Sequence, residues 1–91
     1  MNIETGDTGG AFIYLNQEGD QAKMTFSKAG DTMIIIDHTE VDGALRGLGI
    51  GEMLVDFMVN YARENKIKVM PLCPFTRSVF EKRQDIRDVL K

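Results

Sequence analysis

The stretch that most narrows what this chain can become is Leu45-Arg46-Gly47-Leu48-Gly49-Ile50-Gly51. Three glycines alternate with apolar residues, an arginine stands in front of them, and no carboxylate interrupts the run. After it, Met53, Leu54, Phe57, Met58, Tyr61 and Ala62 recur three and four apart. That spacing predicts an amphipathic helix from about Gly49 to Asn65, with these six residues turned to the core. Before the loop, Met33-Ile34-Ile35-Ile36 is a continuous apolar run of the kind a buried strand carries. The order is strand, connector, glycine turn, helix. Glycine lets main chain approach a ligand closely, and the first turn of a helix offers N–H groups with no internal partner. With the helix dipole they form an anion site suited to a phosphate. A tight turn that binds nothing would have a similar sequence, so the loop by itself leaves both open.

Two familiar glycine signatures do not fit. The phosphate loop of nucleotide hydrolases needs a Lys-Ser/Thr pair after its last glycine, and here Gly51 is followed by Glu52-Met53. The dinucleotide fingerprint needs a glycine three residues after Gly49, where Glu52 stands. Glu52 falls in the first helical turn, where a carboxylate suits the dipole and mildly repels a bound phosphate.

Ninety-one residues predict one domain over 1–91, burying roughly 60–65 per cent of its unfolded surface without metals or disulfides. Fourteen acidic against eleven basic residues, with no basic run longer than Lys82-Arg83, argue against a nucleic-acid partner. The one cysteine excludes an intramolecular disulfide and suits a reducing compartment. No apolar run approaches the ~20 residues of a membrane span, and the N-terminus lacks a signal-peptide pattern. The expectation is a soluble cytoplasmic protein.

The first forty residues read as a meander. Asn2-Ile3-Glu4 suits a short edge strand, and Ala11 to Leu15 is apolar and β-prone. Gln21 to Ser27 alternates strictly, with Ala22, Met24 and Phe26 on one face. Thr32 to His38 is predicted as a more deeply buried strand. Beyond the helix, Ile67 to Leu72 reads as a last strand, parallel to its predecessor through a right-handed crossover. Pro74 suits the first position of another helix carrying Phe75, Val79 and Phe80, and Gln84 to Lys91 is a short amphipathic ending. The fold class is α+β.

Ligands of open α/β sheets bind beyond the carboxyl ends of parallel strands, where connections diverge. Asp37-His38-Thr39-Glu40 and the glycine loop follow one such strand, and Cys73 follows the other. Two roles are open to Cys73. At the N-cap of the last long helix its thiol pKa would fall from about 8.5 towards roughly 3.5–7.5, and as a free cysteine it could equally fill the core. His38 has the parity to follow Ile34 and Ile36 onto one face, where it could take a proton from an amine. It could also be a strand-end histidine bonded to main chain. Glu40 is a second candidate base or a solvated carboxylate, and Arg46 a phosphate ligand or a solvated turn residue.

Arg46-x-x-Gly49-x-Gly51 resembles the pyrophosphate signature (Gln/Arg-x-x-Gly-x-Gly/Ala) of the GNAT superfamily of acetyl-CoA-dependent acyltransferases. With His38-Thr39-Glu40-Val41 and Val69-Met70-Pro71-Leu72-Cys73-Pro74-Phe75, nearly all of Ile36 to Phe80 resembles the small stand-alone GNAT-like proteins. The resemblance implies a GNAT-like α+β fold, an antiparallel meander leading into a parallel β-α-β crossover and a C-terminal helix. It implies acetyl-CoA as cofactor, its pyrophosphate held by the N–H groups of Arg46, Gly47, Leu48, Gly49, Ile50 and Gly51. Main chain around Glu40 and Val41 would run beside the pantetheine arm, and Cys73 would face the thioester. The acceptor would be an amine, free or on a protein, and the chain a monomer or weak dimer.

Two departures from the family pattern stand out. Only strands precede the glycine loop, where full-length members carry helices that wall the acceptor site. Val79-Phe80-Glu81-Lys82 resembles a segment whose tyrosine protonates the departing thiolate, and Phe80 has no hydroxyl. Two mechanisms therefore stay open. In one, His38 or Glu40 deprotonates an amine that attacks the thioester directly, with a backbone N–H near Val41 polarising the carbonyl. In the other, the Cys73 thiolate takes the acetyl group first and passes it on. A module that binds acetyl-CoA without catalysis is the alternative from a different class.

Overall fold

A computed structural model describes all of residues 1–91. Four strands, β1 (Asn2–Thr5), β2 (Gly9–Leu15), β3 (Gln21–Lys28) and β4 (Met33–Val41), form an antiparallel meander. A 3₁₀ turn at Gly43–Leu45 and the glycine loop lead into helix α1 (Ile50–Asn65). The chain returns as β5 (Lys68–Pro71), parallel to β4 at the sheet edge, and continues as α2 (Pro74–Lys82) and a 3₁₀ turn at Gln84–Val89. The α+β architecture expected from the sequence is the one observed.

The alternation of β3 does what its pattern requires. Ala22, Met24 and Phe26 are buried, and Lys23, Thr25 and Ser27 turn the other way. From β2 and β4, Phe12, Ile34 and Ile36 join the same face, against which α1 lays Ile50, Leu54, Val55, Met58, Val59 and Ala62. Each of the larger of these side chains, fully removed from water, contributes on the order of 1.5–3 kcal/mol. Phe12 centres an aromatic group, with ring centroids 5.0 Å from Phe26, 5.4 Å from Tyr61 and 5.9 Å from Phe57. The helix presents a slightly different stripe from the one expected. Met53 is 46 % exposed, because the buried arc centres on Leu54, Val55 and Met58 and leaves Met53 on its edge.

Strand β4 differs from expectation in a way that decides the site. It runs to Val41 rather than ending near His38, so Asp37-His38-Thr39-Glu40 lies within the strand. Its register against β3 slips once. Phe26 faces Ile36 but Thr25 faces His38, leaving Asp37 as the extra residue of a β-bulge. The Asp37 carboxylate accepts a 2.6 Å hydrogen bond from the Ser27 hydroxyl across the strands. Since side chains alternate with period two, one extra residue exchanges the faces of everything after it. Thr39 and Val41 pair with buried Met24 and Ala22, while His38 and Glu40 fall on the solvent side with Thr25 and Lys23. The expectation that His38 shares the face of Ile34 and Ile36 is corrected accordingly.

The parallel pair also splits at this level. Ile36 opposite Pro71 is its last register pair, and proline has no N–H with which to continue a ladder. The amides of Leu72 and Cys73 both turn back to the Ile36 carbonyl, at 3.1 Å each. Past this point β4 and the start of α2 diverge.

Candidate functional site: an amide-lined groove beside a buried thiol

The groove opens where the two strands separate. It has a volume of about 420 Å³ and is lined by the end of β4 (Thr39, Val41), Leu45, Arg46, Gly47 and Gly49 of the loop, the first turn of α1 (Ile50, Gly51, Glu52) and Phe75 of α2. Arg46 (φ −68°, ψ 142°) followed by Gly47 (φ 80°) makes a type II turn, closed by the Leu48 amide donating to the Leu45 carbonyl. Such a turn needs a residue at positive φ in its third position, and Gly47 supplies it. Gly49 takes the left-handed conformation again (φ 77°, ψ 14°) as the N-cap of α1, with no side chain to cap the helix. Gly51 serves differently. A Cβ there would come 2.7 Å from Cζ of Phe75, so its missing side chain lets that ring lie against the helix.

The result is a cluster of unused donors. Met53 is the first helical amide with a main-chain partner, the Gly49 carbonyl, at 3.1 Å. The amides of Gly47, Gly49, Ile50, Gly51 and Glu52 find no acceptor in the loop or on a side chain, and all five residues line the groove. Leu48 stands apart from the set expected to bind the pyrophosphate. Its amide is committed to Leu45, and its side chain is 64 % exposed outside the groove. Arg46 lines the groove, its Nε donating to the Val41 carbonyl at 3.4 Å. Along β4, Asp42 N–H bonds Gln21 of β3, so by the antiparallel alternation the amides of Thr39 and Val41 face the side β5 has vacated. Free amides with the N-terminal dipole fit a diphosphate, and an extended edge of main chain fits an amide-bearing arm. Glu52 is the one carboxylate in the lining.

Cys73 is the N-cap of α2, as its place before Pro74 predicts, and it is 4 % exposed. Its Sγ is 3.4 Å from Oγ1 of Thr39, across the split between the strands. Burial pushes the thiol pKa up. The Thr39 hydroxyl, the amides of Thr76 and Phe75 and the Thr76 hydroxyl together outweigh it, and the net shift is downward from the ordinary thiol value. Cys73 does not itself line the groove, whereas Thr39 and Phe75 do. The thiol sits one side chain behind the groove wall.

The other two candidate bases are elsewhere. His38 Nε2 and Glu40 Oε1 are 3.1 Å apart on the far face of the sheet, with side chains 64 % and 74 % exposed. Water screens such a pair. Phe80 is buried in the core, away from the groove. Sequence reasoning passed over Thr39, Thr76 and Phe75 as site residues. Thr76 could have been found from its place three residues after a capping cysteine, but Thr39 could not, because its face depends on the bulge.

Fold and groove together define a class: mixed-sheet proteins that present main-chain donors where a parallel pair splits. The chain belongs to the GCN5-related N-acetyl-transferase family, whose model matches residues 11–89. It is similar to a GCN5-like candidate N-acetyltransferase from Staphylococcus aureus whose solution structure was determined by NMR. The two are 30 % identical with a TM-score of 0.72, over 99 % of this chain and 87 % of that one. No curated protein matches it. No helix is long and apolar enough to cross a membrane.

Proposed function

We propose that this protein binds acetyl-CoA in the groove and transfers the acetyl group to an amine by way of Cys73. The observation that carries the reading is the set of five free amides at Gly47, Gly49, Ile50, Gly51 and Glu52, on a surface open to solvent. Together with Arg46 they hold the diphosphate, and the amides of Thr39 and Val41 pair with the pantetheine arm. The bound coenzyme supplies an activated acetyl thioester. Cys73, whose thiol pKa its hydrogen-bonding surroundings lower, forms a bond to the acetyl carbon as the donor's carbon–sulfur bond breaks. The departing sulfur takes a proton from solvent. An amine then attacks the acetyl-cysteine, its proton goes to the released Cys73 sulfur or to water, and the thiol is restored. His38 and Glu40 as direct bases fit this geometry less well, since the sheet separates them from the groove. The protein acts as a monomer or weak dimer, in the cytoplasm.

A non-catalytic acetyl-CoA-binding module is the second reading, favoured by two observations. Cys73 is sealed behind Thr39 and Phe75, and Phe80 offers no hydroxyl in its place. Thermal shift with acetyl-CoA and free CoA tests binding, and indifference to both would remove the two readings together. Intact mass after incubation with acetyl-CoA, with Cys73→Ala as control, tests the relay. A Cys73-dependent gain of one acetyl group is expected, and binding without that adduct would leave only the module.

A further inference from the structure

Thr76 is fully buried, and its Oγ1 is the one buried side-chain polar atom in the protein without a hydrogen-bond partner. A valine would fill the same space without stranding a hydroxyl, so packing alone does not account for it. Its position is informative. With Cys73 as N-cap and Pro74 first in α2, Phe75 and Thr76 occupy the second and third positions, whose N–H groups a capping side chain normally receives. No complete cap hydrogen bond forms to the neutral thiol. In that state the S–H donates to the Thr39 hydroxyl and leaves Thr76 unanswered. An ionised sulfur would change the count, because it can only accept. Thr39 would reverse to donate, Thr76 would gain its missing partner, and the two N–H groups would complete an aspartate-like cap.

We propose that Thr76 is a positioning residue for Cys73, its hydroxyl held in reserve for the thiolate, so that Thr39, Thr76 and the first turn of α2 form a preformed cradle for negative sulfur. This deepens the reading of Cys73 as nucleophile and rests on it. The donors act from opposite sides, Thr39 from β4 and Thr76 from α2, so an ionised sulfur is fixed in direction as well as charge. No charged side chain supplies the stabilisation. Asp37, His38 and Glu40 on β4 are exposed, and Lys68 of β5 donates to the Asp88 carbonyl. Arg77 of α2 donates to the Pro71 carbonyl, Glu52 of α1 is exposed, and none of these side chains bonds Sγ. Neighbouring dipoles alone favour the charged form, as the downward shift of the thiol pKa is consistent with.

The test is a pH titration of thiolate ultraviolet absorbance in the full chain without any acyl donor, with Cys73→Ala as the blank. The chain has a single cysteine, so the difference signal belongs to one sulfur. Thr76→Val is expected to raise the thiol pKa by about one unit, a tenfold loss of thiolate at pH values below it. Thr76→Ser keeps a hydroxyl and is expected to titrate close to the parent. Melting curves of both variants verify folding, and valine at an unpartnered site is expected to leave stability unchanged or raised. A Thr76→Val protein that titrates like the parent would overturn the proposal. So would a serine variant shifted as far as the valine one, since packing and not the hydroxyl would then be at work. The outcome is separable from the acetyl relay. A shifted titration with no acetyl adduct leaves the cradle standing and removes the relay, and an adduct with an unshifted titration does the reverse.

Discussion

The two helix N-termini at the split of the parallel pair invite comparison, because each follows the carboxyl end of a parallel strand and they are built in opposite ways. That of α1 is made of glycine and main chain, uncapped and open to solvent, with amides unclaimed. That of α2 has a thiol at its cap position and a threonine on either side of it, and Cys73 and Thr76 are both buried. Main-chain donors hold a fixed geometry whatever the solvent does, which suits a ligand that must come and go. A reactive sulfur gains from the reverse arrangement, since its few donors count for more where water is absent. Phe75 lies between them, its ring against Gly51 and its helix beginning at the thiol.

The sharpest way to break the contrast is at Gly49. Valine there must adopt φ near 77°, and an L-residue in that conformation costs about 1–2 kcal/mol. Gly49→Val is expected to lose that much in chemical denaturation and to lose the thermal response to acetyl-CoA, while the Cys73 titration stays in place. A smaller effect on the same side is expected from Arg46→Ala. Removing a charged donor from an anion weakens binding by about 1.5–3 kcal/mol, roughly ten- to hundred-fold, and isothermal titration would measure it. Stability should change by less than about 0.5 kcal/mol, because Arg46 is exposed. Gly51→Ala tests the boundary between the two ends. Its Cβ displaces the Phe75 ring, so Cys73 should react several-fold faster with a small alkylating reagent. An unchanged rate would mean that Phe75 does not guard the thiol.

The smallest effect belongs to a control far from both. The Arg63 guanidinium hydrogen-bonds Asp88 at 2.8 and 3.0 Å, holding that carboxylate below its ordinary range. A carboxylate whose folded pKa is depressed contributes stability above its unfolded pKa and loses it as pH falls through the folded one. The melting temperature of Asp88→Asn should therefore differ from the parent at neutral pH, begin to approach it below about pH 4 and meet it only once the pH has fallen through the lower folded pKa. Neither coenzyme binding nor the thiol titration should move.

Much of this was legible in the residues. Strict alternation of Ala22, Met24 and Phe26 located β3, and the three-four spacing from Leu54 to Ala62 located α1. Arg46-x-x-Gly49-x-Gly51 marked the groove, because positive φ and close approach leave only glycine. Pro74 marked the start of α2, since proline fits a helix's first turn and stops a strand. The thiol's surroundings were not legible. Thr39 and Cys73 meet only through β4–β5 pairing, and Thr39 has its inward direction only because Asp37 is an extra residue. Nothing in the run Met33 to Val41 announces where pairing with β3 will slip. For the same reason parity placed His38 on the wrong side. Met53 failed more simply, since spacing identifies a helical stripe but not its edges.

The slip at Asp37 also makes this strand a two-position selector. One reading frame offers the groove a hydroxyl and an aliphatic residue; the other would offer it an imidazole and a carboxylate. A ladder that ran on past Ile36 without the slip would set Asp37 opposite Thr25 and His38 opposite Met24, turning His38 and Glu40 inward and Thr39 and Val41 to water. A site that relies on sulfur would become one equipped with a proton acceptor. Deleting Asp37 would straighten the ladder and leave His38 opposite Thr25 and Thr39 opposite Met24. A structure of that variant is therefore expected to keep both faces, and His38 turned inward there would refute the assignment of Asp37 as the extra residue. One unpaired residue thus decides which of two chemistries the strand turns towards the thiol.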